Sequence, residues 1–128
     1  MRPATTLEQL VRDQLAAEHL TPTSWGNAPG DRYAPHRHDY DKVLVGVSGS
    51  IVFILPELGR SVDLRAGDRL DLPARTLHAA SVGPHGVRCL EAHLPPGQLD
   101  VSPRVTPGWA DAPRTIVPAP RTGPTPAA

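Results

Sequence analysis

From Tyr33 to Leu94 the chain is a succession of short apolar or alternating runs, each closed by residues that turn the backbone. The runs are Tyr33 to His38, Val43 to Val47, Ile51 to Leu55, Ser61 to Leu64, Arg69 to Leu72, Leu77 to Val82 and Val87 to Leu94. Between them stand Ser48-Gly49, Pro56 to Gly59, Ala66-Gly67-Asp68, Pro73 and Gly83-Pro84, residues that supply positive φ, a fixed φ, or side-chain bonds to their own backbone. Runs this short, repeated about every 8 to 12 residues, leave no room for crossover helices, so they predict an antiparallel sandwich or barrel.

The flanks differ. Leu7, Leu10, Val11, Leu15, Ala16 and Leu20 recur with a helical period from Thr6 to about Leu20, and Thr6 with Gln9, or Thr5 with Glu8, supplies a capping box. Pro22 closes this helix, and Thr23 to Ala28, carrying Trp25, is a short ambiguous stretch before the turn at Pro29-Gly30-Asp31. After Leu94 the chain holds nine of its sixteen prolines and few large apolar residues, a composition that buries too little apolar surface to offset the entropy of ordering. The expected division is a helix in 1–21, a barrel in 22–94 and a Pro-rich extended or disordered tail in 95–128. Within that tail, Val101 to Trp109 could dock as an extended edge segment.

With 13 basic and 13 acidic residues the net charge is zero, so no overall field draws the molecule to nucleic acid or an anionic membrane, and no DNA-binding helix accompanies the strands. The first residues lack an apolar signal core, and no window approaches the ~18 apolar residues of a membrane span. Cys89 is the single cysteine, which excludes an internal disulfide and fits a reducing compartment. A soluble cytoplasmic protein is expected.

His36 and His38 lie two apart in one run, so both side chains leave the same face of a strand, with Cα atoms roughly 6 to 7 Å apart. Two imidazoles so placed can converge on one ion at about 2.0–2.1 Å. Taken alone, such a pair is as readily a solvated surface feature. Its surroundings add to it: Gly30 precedes His36 by six residues, Gly49 follows His38 by eleven, and a second element runs from Gly67 through Pro73 to His78.

These residues resemble the two motifs of the cupin superfamily, G-x5-H-x-H-x(3,4)-E-x6-G and G-x5-P-x-G-x2-H-x3-N. Gly30, His36, His38 and Gly49 match the first, and Gly67, Pro73 and His78 match the second, with a short intermotif gap from Ser50 to Ala66 like that of compact bacterial single-domain cupins. The resemblance spans Gly30 to Val82 and implies an all-β jelly-roll barrel holding one divalent metal ion, Zn, Fe, Mn or Ni, on His36, His38 and His78. Three positions depart from the pattern: Lys42 stands in place of the glutamate, Arg75 in place of the second glycine and Val82 in place of the asparagine.

An ammonium at position 42 repels a cation, so it must deprotonate, swing away or bind something else. One outcome is a site of three neutral imidazoles with open positions, beside which Lys42 holds a carboxylate or oxyanion. In another, Asp39 or Asp41 replaces the carboxylate, which needs a bulge because alternation points both away from the histidine face. In a third, Lys42 forms an ion pair with Asp41, Asp39 or Glu91. Alternation also sets Tyr40 on the histidine face, so Tyr40 and Lys42 are the candidate catalytic groups. Glu91 and His93 form a same-face pair able to line the barrel, whereas His19 and His85 are expected in solvent. The functions open to such a chain are a metalloenzyme (dioxygenase, isomerase or lyase) acting on a small polar or anionic molecule, a noncatalytic small-molecule or metal-sensing module, and a structural cupin without metal. The resemblance also implies a homodimer paired through sheet edges.

Overall fold

The structure is a computed structural model that describes residues 6–112. One helix precedes seven strands: α1 (Leu7–Ala16), β1 (Thr23–Asn27), β2 (Arg32–His36), β3 (Asp41–Leu55), β4 (Arg60–Arg65), β5 (Arg69–Leu72), β6 (His78–Leu94) and β7 (Arg104–Thr106), with 3-10 turns at Pro56–Leu58 and Trp109–Asp111. Every strand pairing is antiparallel. Thr6 caps α1 by accepting a hydrogen bond from the Gln9 N–H at 3.1 Å; Thr5, of the alternative box, lies outside the described residues. The helix ends at Ala16 rather than near Leu20, because His19 turns into the left-handed region at φ 63°. None of the described helices is long and apolar enough to cross a membrane.

Two of the expected turns are not turns. The runs at 43–47 and 51–55 are one strand, β3, and those at 77–82 and 87–94 fuse into β6. These two strands pair from Asp41 with Leu94 to Ile54 with Ala79, with register shifts between Gly46 and Ser48 and between Gly49 and Ile51. The glycine signals read as turns lie at irregularities in one ladder, where Gly49 and Gly86 take positive φ and Gly83 does not, and the strands bend instead of reversing. Gly49 (φ 67°) faces Gly86 (φ 75°) so closely that a Cβ at Gly49 would lie 2.0 Å from the Gly86 carbonyl oxygen.

The bends let β3 and β6 serve two sheets at once. In one, their halves at 51–54 and 78–82 are flanked by β4 and β2; in the other, the halves at 41–46 and 87–94 are flanked by β5 with β7 and by β1. Between the sheets lies a core of Leu44, Ile51, Phe53, Leu55, Leu64, Leu70, Leu72 and Cys89 with their neighbours. The opposite parity of β3 and β6 (Val43, Val45, Leu90 and Ala92) packs outward against Val11 and Leu15 of α1 and against Leu20. Because both faces are covered, residues 41–46 are buried without interruption, which is why the run reads as apolar rather than alternating.

Of the residues after 94, those up to 112 pack on the domain, and the docking of Val101 to Trp109 as an edge segment, one of the two expectations for it, is the arrangement seen. β7 pairs with β5, Val105 packs on the core between the sheets, and Leu99, Trp109 and Ala110 join the helix-side cluster. Docking overcomes the poor composition because the segment adds an edge strand and brings polar anchors with it. Arg69 on β5 donates to Glu18 and Asp71, each at 2.7 Å, and its guanidinium lies 5.0 Å from the Trp109 ring centroid. The rest of the expected tail, 113–128, lies outside the described residues.

Gly49→Ala is expected to cost about 3 kcal/mol or more, since backbone rather than a movable side chain blocks the new methyl and φ is left-handed. Urea denaturation measures this; a loss under about 1 kcal/mol would contradict the bulge geometry.

Candidate metal centre

The inward parity of β3 and β6 is apolar through the middle of the barrel and turns polar at one end. There Lys42, two residues before Leu44, and Glu91, two after Cys89, line a cavity of about 260 Å3 with His36, His38, Tyr40 and His78. Ile51, Phe53 and Ala80 form its apolar wall, and Trp25 and Tyr33 come from β1 and β2.

His36 closes β2 and pairs across the ladder with His78, the first residue of β6. β2 ends there, so His38 lies just beyond the strand; its carbonyl accepts a 2.7 Å hydrogen bond from the Arg75 N–H, which ties the 73–76 turn to the first histidine pair. Arg75 occupies the position where the motif carries glycine, and its φ of 68° shows that the turn still demands the left-handed region. The three imidazole centroids stand 4.3 to 5.2 Å apart, and one nitrogen from each lies within 4.8 Å of the others.

Hydrogen bonding orients the rings. Nδ1 of His36 lies 2.7 Å from the Ala34 carbonyl and Nδ1 of His78 lies 2.9 Å from that of Thr76. A carbonyl only accepts, so each Nδ1 carries the proton and each Nε2 keeps its lone pair. His38 Nδ1 instead lies 3.2 Å from the Tyr40 hydroxyl, which can accept from it. Among the described residues, Nε2 of His38 and of His78 are buried and have no hydrogen-bond partner. Burial, helped by the charges of Lys42 and the neighbouring imidazoles, lowers the His38 pKa; the same causes push His78 down to about 4 despite its bond to Thr76. The Nδ1 bonds of His36 and His78 and the unpartnered buried Nε2 atoms of His38 and His78 fit one divalent ion, which His36, His38 and His78 could hold.

Asp39 and Asp41 do not supply a carboxylate. The Asp39 side chain is exposed, and Asp41 is buried facing away from the cavity, where it accepts from the backbone N–H groups of Ala74 (2.8 Å), Gln98 (2.6 Å) and Leu99 (2.7 Å). It thus pins the turn before His78 and the start of the C-terminal segment to β3. Burial works to raise the Asp41 pKa, yet these amide bonds outweigh it and hold the carboxyl below its ordinary value.

The carboxylate beside Lys42 is Glu91, 3.4 Å from the ammonium. Glu91 also accepts from the Trp25 indole N–H at 2.9 Å and from His93 Nε2. Burial acts to raise its pKa, but His93, Lys42 and Trp25 together hold it low. Tyr40 lies between two rings, its centroid 4.9 Å from His38 and 4.0 Å from His93, nearly parallel to both. Sequence reasoning set Glu91 and His93 on one inward face but did not make Glu91 the hub of the site. Its signal was the ladder position of β6 opposite β3, which no motif marks. Trp25 was missed because five residues with little alternation do not announce a strand. His19 and His85 are exposed as expected, and Cys89 is buried with its thiol pushed up to about 12 by that burial.

No family model matches the chain, and no curated protein matches its sequence. Solved structures do. The polyketide cyclase RemF from Streptomyces resistomycificus is 24% identical over 58% of this chain and 54% of its own, with a TM-score of 0.52. A cupin superfamily protein from Desulfitobacterium hafniense is 21% identical over 59% of this chain and 67% of its own, with a TM-score of 0.52. Oxalate decarboxylase from Bacillus subtilis, a protein with Mn(II) centres, is 23% identical over 75% of this chain and 25% of its own, with a TM-score of 0.51. The chain therefore spans only about half of the cyclase and a quarter of the decarboxylase.

Asp41→Ala is expected to cost about 3 kcal/mol, because it leaves buried amides without their charged acceptor. Since the folded-state pKa is depressed, this contribution is complete above the ordinary aspartate value of about 3.9 and disappears as pH falls through the lower folded-state value. Urea denaturation at neutral pH and at about pH 3 checks both parts: the gap between wild type and variant narrows in acid. An equal gap at both values would contradict this role.

Proposed function

The chain has the cupin fold, and on that premise we propose that it is a small metalloprotein holding one divalent ion on Nε2 of His36, His38 and His78, with a small polar molecule bound beside it. The observation that carries this reading is the orientation of the rings. The Nδ1 atoms of His36 and His78 are spent on backbone carbonyls, and the Nε2 atoms of His38 and His78 are buried without a partner. Rings kept for packing alone would leave those lone pairs at a desolvation cost of about 1–3 kcal/mol each.

A divalent ion on three neutral nitrogens retains open positions and supplies Lewis acidity to whatever oxygen enters them. The chain's own groups do the rest. Phe53, Ile51 and Ala80 exclude water from one side, and Trp25, Tyr40, Lys42 and Glu91 offer polar atoms on the other. The cavity, at about 260 Å3, lies below the usual range for drug-sized ligands, so a small molecule is the fitting occupant. The Tyr40 hydroxyl, bonded to His38 Nδ1 and lining the cavity, is positioned to donate to that molecule.

Elemental analysis of protein purified without an affinity tag tests the centre. The wild type is expected to carry about one divalent ion per chain, with His36→Ala and His78→Ala each losing most of it. Less than about one ion per three chains in the wild type, unchanged in both variants, would contradict the proposal.

A further inference from the structure

Lys42 is 7% exposed, a burial that lysine tolerates only when its ammonium is paired or has a ligand to meet. Among the described residues its one charged partner is Glu91, at 3.4 Å, longer than a charge-assisted hydrogen bond. That carboxylate is already engaged: Oε1 accepts from Trp25 and Oε2 from His93. An ammonium has three N–H donors, and this one lines the cavity, where a bound group can meet them. The stem enters the cavity from β3 on the parity of Leu44. Glu91 thus offsets the charge of Lys42 and holds it at the cavity wall.

We propose that Lys42 is the anchor for a carboxylate group on the small molecule that occupies this cavity. The carboxylate lies between the Lys42 ammonium and the face formed by His36, His38 and His78, with the remainder of the molecule against Phe53 and Ala80. The pocket's chemistry favours a monocarboxylate. Lys42 supplies a positive charge, and the Glu91 carboxylate beside it repels a second anionic group. This assignment deepens the function proposed above, but the charge-to-charge contact is made by the chain itself and does not require the ion.

The test uses L-lactate and propionate as probes, with lactamide and propionamide as neutral counterparts, titrated into both metal-loaded and chelator-treated protein by calorimetry. Wild type is expected to prefer each acid to its amide by at least about tenfold in both forms. Lys42→Met, which keeps the length of the stem, is expected to abolish that preference in both forms while its metal content stays within about twofold of wild type. Glu91→Gln keeps the shape of its side chain and frees the ammonium from its counter-charge, so it should bind the acids at least as tightly as wild type; this variant decides the matter if Lys42→Met does not fold. Equal affinity for acid and amide in wild type, an acid preference surviving in Lys42→Met, or weakened acid binding in Glu91→Gln would each overturn the anchor. An absence of metal from wild type with the acid preference intact would overturn the metal centre and leave the anchor standing.

Discussion

The pairing of β3 with β6 sets the position of everything else in the molecule. Two strands of this length could not both remain straight and contribute to two facing sheets. The glycine contact at Gly49 and Gly86 lets them bend together, so that one ladder runs from the first sheet into the second. Parity along that ladder then sorts the side chains. Val43, Val45, Leu90 and Ala92 turn outward to the helix, and Leu44, Cys89 and their neighbours turn inward. At one end of the barrel the inward parity becomes Lys42 on β3 and Glu91 on β6, and the same end receives His36 and His78 as a cross-strand pair. The site is the polar continuation of the core.

Electrostatics at that end follow from burial. Desolvation lowers the pKa of His38 and His78, with Lys42 adding to the effect, which favours the uncharged rings that coordination needs. A carboxylate lies in the cavity as well, yet it belongs to Glu91 and is committed to Lys42, His93 and Trp25. Relative to the cupin pattern, the negative charge has moved from the β3 position to the neighbouring strand, and a positive one has taken its place. Asp41, next in sequence to Lys42, points the other way and ties the turn before His78 to the C-terminal segment, so the frame of the centre and the docking of residues 97–99 share one buried side chain.

Much of this was legible in the sequence, and the exceptions have physical causes. The strand rhythm, the helix and its Thr6 cap, and the His36–His38 pair are written in local signals of period, capping and spacing, while His78 joined them through the resemblance to the cupin motifs. The fusion of four runs into β3 and β6 was not, because a glycine at a bulge and a glycine at a turn satisfy the same backbone requirement. Docking of Val101 to Trp109 was open in the sequence but could not be chosen there, because composition argued against it and its anchors, Arg69 on Trp109 and Asp41 on the amides of Gln98 and Leu99, join residues far apart in the chain. Lys42 was visible as a departure from a pattern, and Glu91 was one of three acids weighed as its partner. Only the register of β6 against β3 chose among them.

The central claim is that three imidazoles meet at one ion through Nε2. Anomalous diffraction from crystals grown with the native metal tests it most directly. The account predicts one strong peak per chain, about 2.0–2.1 Å from Nε2 of His36, His38 and His78, with Nδ1 of His36 and His78 still on the carbonyls of Ala34 and Thr76. A peak on Glu91 and His93 instead, or coordination through Nδ1, would contradict it.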